Sequence, residues 1–325
     1  MKLFCRLIIF VLLISPVFAG TTFDPLSLSV GVRALGMGNA YVAVADKGDT
    51  IFTNPAGLGE VDSFHFTSMA GRVLEDVNYT VLGVNYPMGG KSAIGIGFAS
   101  ATITDIVRRN LAGEYQNKAQ FNNSVFLVSM GRKFSDQFSL GMNIKYFAQD
   151  GTEDDRGDGT GANIDIGVLQ KGTHWLSFGL VGQNIASSSK FSTGSIKDDL
   201  PMSLKIGGKA HLLGQEFEAA RLSPYRVIVA ADANISLQST DITTAHTGIE
   251  LGFPHYLTVR LGVDQDQRKR YLTSGISLKI AGVGFHYAYH PYGETGISAT
   301  HFFSLSFDER GFDPEEEPET FLGSL

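Results

Sequence analysis

The residues able to do chemistry are few and scattered. The densest group is Asp150-Gly-Thr-Glu-Asp-Asp-Arg-Gly-Asp-Gly-Thr-Gly161, with five carboxylates and four glycines. Oxygen-rich flexible loops can hold calcium, but this one lacks the ordered spacing and closing bidentate glutamate of an EF-hand loop. A solvated outer loop accounts for the same residues. Calcium bridging to lipopolysaccharide is the alternative, and no residue is assigned to a metal. His286 and His290 are four apart. In an extended chain they share a face at about 13 Å, too far apart to chelate one ion together. His301 shares its face with Ile297, Phe303, Leu305 and Phe307, a position tolerable near a membrane rim. Serines are plentiful, but there is no G-x-S-x-G elbow, and no histidine sits in a motif that marks a base. Lys145, Asp165, Lys205, Asp232, Glu250, Arg260, Lys279 and His286 fall on the polar faces of alternating runs. Charges so placed line an interior, pairing with one another or with a plug. The chain is read as no enzyme, with no catalytic residue and no cofactor.

These side chains need elements to hold them. From about Ser63 the chain falls into runs with period-two alternation, the signal of half-buried strands. In 138–147, Phe138, Leu140, Met142, Ile144 and Tyr146 oppose Ser139, Gly141, Asn143 and Lys145. In 257–264, Leu257, Val259, Leu261 and Val263 oppose Thr258, Arg260 and Asp264. A soluble β-sandwich would alternate in the same way. The membrane reading is favoured by run length, which suits a tilted bilayer span and exceeds the usual soluble strand. The apolar faces also tend to end in aromatics (Phe98, Tyr146, Tyr225, Phe253, Tyr287, Tyr289, Phe307), as interfacial girdles do.

About fourteen runs follow, at 64–71, 77–86, 92–101, 121–132, 138–148, 162–171, 174–184, 201–211, 225–237, 244–253, 256–264, 272–281, 282–290 and 297–307. An even count is what a bacterial single-chain barrel requires. Connections at 87–91, 133–137, 172–173, 254–255 and 281–282 are tight, and those at 102–120, 149–161 and 185–200 are long. Short turns on one side and long loops on the other suit a barrel that starts from the periplasm. Segment 212–224 is long where a short turn is expected, so a periplasmic excursion or a miscount sits there. The fold expected is all-β: a transmembrane antiparallel barrel of about 14 strands over residues 63–307.

The chain's start and composition agree. Lys2 and Arg6 flank a short apolar core, Leu7–Ile14, followed by Val17-Phe-Ala19. This predicts a signal peptide at 1–19, too short in its apolar run to span a membrane. Cys5 falls inside it, so the mature chain has no cysteine and no disulfide. Without Lys2 and Arg6 the charge is 24 basic against 33 acidic residues, net −9, which argues against nucleic acid as a partner. At the other end, 308–325 holds Glu315-Glu-Glu317 and Pro318. It reads as an acidic, flexible periplasmic tail, with docking of a periplasmic partner as the alternative.

Residues 20–62 are of another kind. Arg33-Ala-Leu-Gly-Met-Gly-Asn-Ala-Tyr-Val-Ala-Val-Ala-Asp46 is built from small residues, which suit a segment pressed against other backbone. Asn54-Pro55 stops any helix before Ala56. "RALGMGNAYVAVAD" followed by "NPAGL" resembles the N-terminal signature of the PorV/PorQ (UPF0164-like) group, within the FadL-like outer-membrane barrels. The resemblance is specific over 31–59 and diffuse elsewhere. It implies an N-terminal hatch inside the lumen, with Arg33, Gly36, Gly38, Asn54, Pro55 and Ala56 in the matching stretch. It also implies a place in the bacterial outer membrane and one of two roles. FadL-like relatives pass hydrophobic molecules through a pocket and a lateral opening. Gly95 and Gly97 could kink the third strand to make that opening, or could simply make room beside the plug. PorV-like relatives receive exported proteins in type IX secretion, which would make the loops 102–120 and 185–200 a docking surface. The partners implied are outer-membrane lipid and either a hydrophobic ligand or an exported protein.

Overall fold

The computed structural model describes residues 24–312, apart from 29, 47, 74–75, 111, 152–157, 174, 192–199, 214–224, 238–242, 255, 266–268 and 293–298. The expected signal peptide, most of the acidic loop and the tail from 313 onward lie outside the described residues.

The alternating runs fold as fourteen strands: β1 (His65–Val73), β2 (Val77–Gly89), β3 (Ser92–Arg109), β4 (Tyr115–Ser135), β5 (Phe138–Asp150), β6 (Gly159–Thr173), β7 (Leu176–Phe191), β8 (Ser203–Leu213), β9 (Arg226–Ser236), β10 (Thr243–Gly252), β11 (Leu257–Gln265), β12 (Arg270–Ile280), β13 (Val283–Pro291) and β14 (Ala299–Asp308). Each pairs antiparallel with its neighbours in sequence, and β1 pairs with β14 from His65↔Asp308 to Gly71↔Phe302, closing a barrel. Closure leaves no strand edge, which is what hydrocarbon demands of a spanning sheet. No helix among the described residues is long and apolar enough to cross a membrane.

Two faces follow from the period of two. On β5, Leu140, Met142, Ile144 and Tyr146 are exposed, while Ser139, Gly141, Asn143 and Lys145 are buried. From Phe138 to Tyr146, eight steps of about 3.3 Å at a tilt of about 40° give an apolar band roughly 20 Å tall. At the short-turn end, exposed Tyr86, Phe134, Trp175, Tyr225, Phe253 and Tyr256 ring the band. The turns there are tight: Ala281 and Gly282 both take positive φ, 45° and 76°, as a two-residue hairpin matched to strand twist requires.

Three boundaries differ from expectation. β3 and β4 run on through most of the expected loop 102–120, leaving 110–114 between them. The register shifts between Ile103 and Ile106, and Asp105 at φ 61° absorbs the extra residue, so that pairing resumes at Ile106↔Ala119. β7 likewise takes in the start of the expected loop 185–200. Asp308 belongs to β14 rather than to the tail. Although 212–224 is long, β8 and β9 are direct neighbours, so the strand count stands.

The described residues of 24–61 lie inside this wall, buried against its inward-facing side chains. They form a turn at Pro25–Leu28, the short helices α1 (Val32–Gly36) and α2 (Thr50–Thr53), and a turn at Pro55–Glu60. α2 ends where Asn54 becomes extended (φ −141°, ψ 102°) ahead of Pro55, because proline excludes helical geometry from the residue before it.

Candidate functional site

The inner segment makes almost no helix of its own and borrows its order from the wall. Its small residues let backbone meet backbone. A Cβ at Gly141 would overlap Pro55, one at Gly167 Asn54 and one at Gly179 Val42. One at Gly248 would overlap Met37, one at Gly262 Gly38, and Gly275 lies against Gly36. These glycines belong to β5, β6, β7, β10, β11 and β12. The barrel thus has a glycine girdle where the segment touches it.

Buried polar side chains fix the orientation. Glu250 on β10, fully buried, accepts from Arg33 Nε (2.7 Å) and Nη2 (2.9 Å), from Arg260 Nε (2.7 Å) and from Arg226 Nη2 (2.9 Å). Arg33 Nη1 also meets Asp46 at 2.6 Å. A bidentate guanidinium–carboxylate pair away from water is strong and directional. On β9, Asp232 Oδ2 accepts the backbone N–H of Tyr41 (2.5 Å) and Val42 (2.7 Å). On β11, Asp264 accepts from Asn39 Nδ2 (2.6 Å) and is flanked by His246 (3.0 Å) and His290 (2.9 Å). Asn143 donates to the Ile51 carbonyl (2.9 Å) and Asn85 to that of Gly48 (3.0 Å). Asn54 accepts from Ala56 N–H (3.1 Å) and donates to the carbonyls of Val42 (2.9 Å) and Val168 (3.1 Å).

At the short-turn end Glu60 takes Lys171 (2.8 Å) and Lys133 (3.2 Å). Burial alone would push its carboxyl up, but the two lysines together outweigh burial and hold it below the usual range. Asp49, which accepts from the Thr67 hydroxyl (2.8 Å), is pushed up by burial, with that hydrogen bond and Arg33 opposing.

The residues singled out from the sequence are placed as follows. Arg33, Gly36, Gly38, Asn54, Pro55 and Ala56 are in the inner segment, all buried or nearly so. Asp232, Glu250 and Arg260 converge on it. Lys145 pairs with Asp165 (2.8 Å) and Asn184 (2.7 Å) in a buried cluster of the wall. Lys205 lies on the inner face, half-buried. Lys279 sits at the short-turn rim against Asp308 (2.6 Å). His286 bridges Ser277 (2.7 Å) and Ser306 (2.8 Å), so it and His290 serve separate networks. His301 is on the outer face, within 2.7 Å of the Tyr287 hydroxyl.

Gly95 and Gly97 lie in the paired part of β3. Pairing with β2 and β4 is unbroken through both, and a Cβ there would meet Ile51 and Phe52 of the inner segment. The irregularity of β3 lies instead at 104–105. Sequence reasoning put Asn143 and Asp264 on polar faces without giving them a partner, and did not single out Asn39, Asn85 or His246, whose partners are distant in the chain. For Asn85 and His246 inward parity was the available signal; Asn39, in a turn, offered none.

No protein-family profile matches the chain, and no curated protein matches its sequence. Its fold is similar to solved barrels. The Ralstonia pickettii toluene transporter TbuX gives a TM-score of 0.56 at 14% identity, covering 86% of this chain and 98% of that one. The Pseudomonas putida toluene transporter TodX gives 0.57 at 12% identity, covering 91% and 100%. A Pseudomonas aeruginosa FadL homologue gives 0.52 at 10% identity, covering 90% and 99%. The chain thus shares its closed barrel fold with these transporters and with the FadL homologue.

Proposed function

We propose that this protein is an outer-membrane channel that admits hydrophobic small molecules, with residues 20–62 as a hatch, 63–307 as the barrel and the short-turn end in the periplasm. The observation that carries the reading is the inner segment itself, clasped by the glycine girdle and by Asp232, Glu250 and Asp264. A lumen filled in this way excludes bulk water and ions, while leaving passage to a molecule that can part apolar contacts such as Ile51 and Phe52 against Gly95 and Gly97. The toluene transporters and the FadL homologue have a similar barrel fold at low identity, which favours transport over catalysis. The PorV/PorQ reading rests on a resemblance that is specific only over 31–59, and of its two expected docking loops 102–120 is largely strand, while 192–199 of the other lie outside the described residues.

Mass spectrometry of molecules co-purifying with the detergent-extracted protein is the test. A retained hydrocarbon or lipid-like molecule is expected. An empty barrel recovered with a secreted protein attached would favour docking instead. The hatch is tested separately: deleting residues 31–59 should raise ion conductance in planar bilayers, and unchanged conductance would remove the plug from the account.

A further inference from the structure

Near the long-loop ends of β13 and β14, two polar atoms sit inside the wall with nothing to bond. His290 and Thr300 oppose each other across the strand pair, and both are fully buried. Among the described residues neither His290 Nδ1 nor Thr300 Oγ1 has a hydrogen-bond partner. Side chains directly opposite on one face hold their Cβ atoms about 5 Å apart, so a single small group can touch both. The far nitrogen of His290 fixes the proton. Nε2 lies 2.9 Å from Asp264 Oδ2, and a carboxylate only accepts. The neutral ring therefore carries its proton on Nε2, and Nδ1 is a bare acceptor beside a hydroxyl that can donate. Buried polar atoms left this way are uncommon and call for an occupant.

The surroundings are aromatic. Tyr292 stacks on His290 with centroids 3.9 Å apart and planes at 22°, and Tyr271 lies at 5.6 Å. Phe302 meets Tyr292 edge-on at 6.2 Å and is fully buried in the adjoining apolar cluster with Tyr79. Tyr292 is only partly buried against that cluster. It lies one residue beyond the end of β13, so no ladder bond holds it. A phenol ring, the protein's own, already rests on the imidazole and covers the pair.

We infer that His290 and Thr300 bind the hydroxyl of a small phenol, whose ring replaces that of Tyr292 on the imidazole. The phenol O–H donates to Nδ1, and its oxygen accepts from the Thr300 hydroxyl, so one group pairs both atoms. Stacking on His290 and edge contacts with the other rings suit a flat aromatic molecule. A hydrocarbon of the same shape leaves both atoms unpaired. The inference rests on the proposed channel role and narrows its cargo.

The test is equilibrium dialysis of deuterated p-cresol and toluene against the full-length barrel in nanodiscs, with uptake by empty nanodiscs subtracted. One p-cresol should bind per barrel, about tenfold tighter than toluene, as a net hydrogen bond allows. Thr300→Val, which keeps the shape, should remove that preference, and Thr300→Ser should keep it. Tyr292→Ala should bind p-cresol at least as well as the wild type, because the covering ring is gone. With [15N]histidine in the protein, p-cresol should shift one imidazole signal, the one missing from His290→Gln, and toluene should not. Equal affinity for the two probes, an unchanged preference in Thr300→Val, or loss of p-cresol binding in Tyr292→Ala would overturn the inference, leaving a trapped water for the pair. Equally tight binding of 4-methylcyclohexanol would overturn the aromatic class. Toluene bound as well as p-cresol removes this site and leaves the channel standing, whereas binding of neither removes both.

Discussion

Glu250 binds the inner segment through Arg33 with both carboxylate oxygens, while Arg226 and Arg260 of the wall hold the carboxylate in place. Glu250→Ala would leave Arg33 and Arg260 buried without their shared counter-charge, a loss of about 3–5 kcal/mol. The expected result is a looser segment: faster proteolysis within 31–59 and higher conductance, with the barrel's heat-dependent gel mobility unchanged. Glu60 gives a pH prediction of defined sign. Its carboxyl is held low in the folded state by Lys171 and Lys133 against burial. Its contribution is therefore complete above the unfolded-state pKa and is lost as pH falls through the lower, folded one. Hydrogen exchange over 55–62 should accelerate only in acid, and Glu60→Gln should flatten that dependence. A wild-type profile in the variant would mean that Glu60 does not hold the rim.

At the scale of elements, neighbouring glycines on β8 make the sharpest comparison. A Cβ at Gly207 would overlap Asp232 and meet Val42, whereas one at Gly208 finds only Phe178 at 4.0 Å. Valine favours strand geometry at either position. Gly207→Val should therefore leave the barrel intact, displace the inner segment and raise conductance. Gly208→Val should do neither, and equal conductance in the two variants would contradict the girdle. Much of this level was legible in the sequence. The alternation of Phe138 to Tyr146 against Ser139 to Lys145 fixed which side of β5 faces lipid, and the short turns separated the strands. Strand ends were not legible, because the length of β3 and β4 depends on pairing across 110–114 and on the bulge at Asp105, which composition does not reveal. The glycines were visible one by one as small residues on polar faces. That they form one ring depends on cross-strand register, as does the meeting of Arg33 with Glu250.

Across the whole molecule, the wall is uneven: β3 and β4 have 18 and 21 residues, whereas β11 and β13 have 9 each. The apolar band must nonetheless lie level in the bilayer. The chain's single tryptophan, Trp175, is exposed at the short-turn rim, where its amphipathic ring suits the interface. In vesicles with lipids brominated at defined depths, shallow bromines should quench its emission more than deep ones, and the reverse order would mean the barrel sits differently. Finally, the seam between β1 and β14 joins the first strand, which begins at His65 just after the inner segment, to the fourteenth. Pairing of β14 with β1 is the expected last step of assembly, closing the wall around a segment that Thr67 of β1 already holds through Asp49.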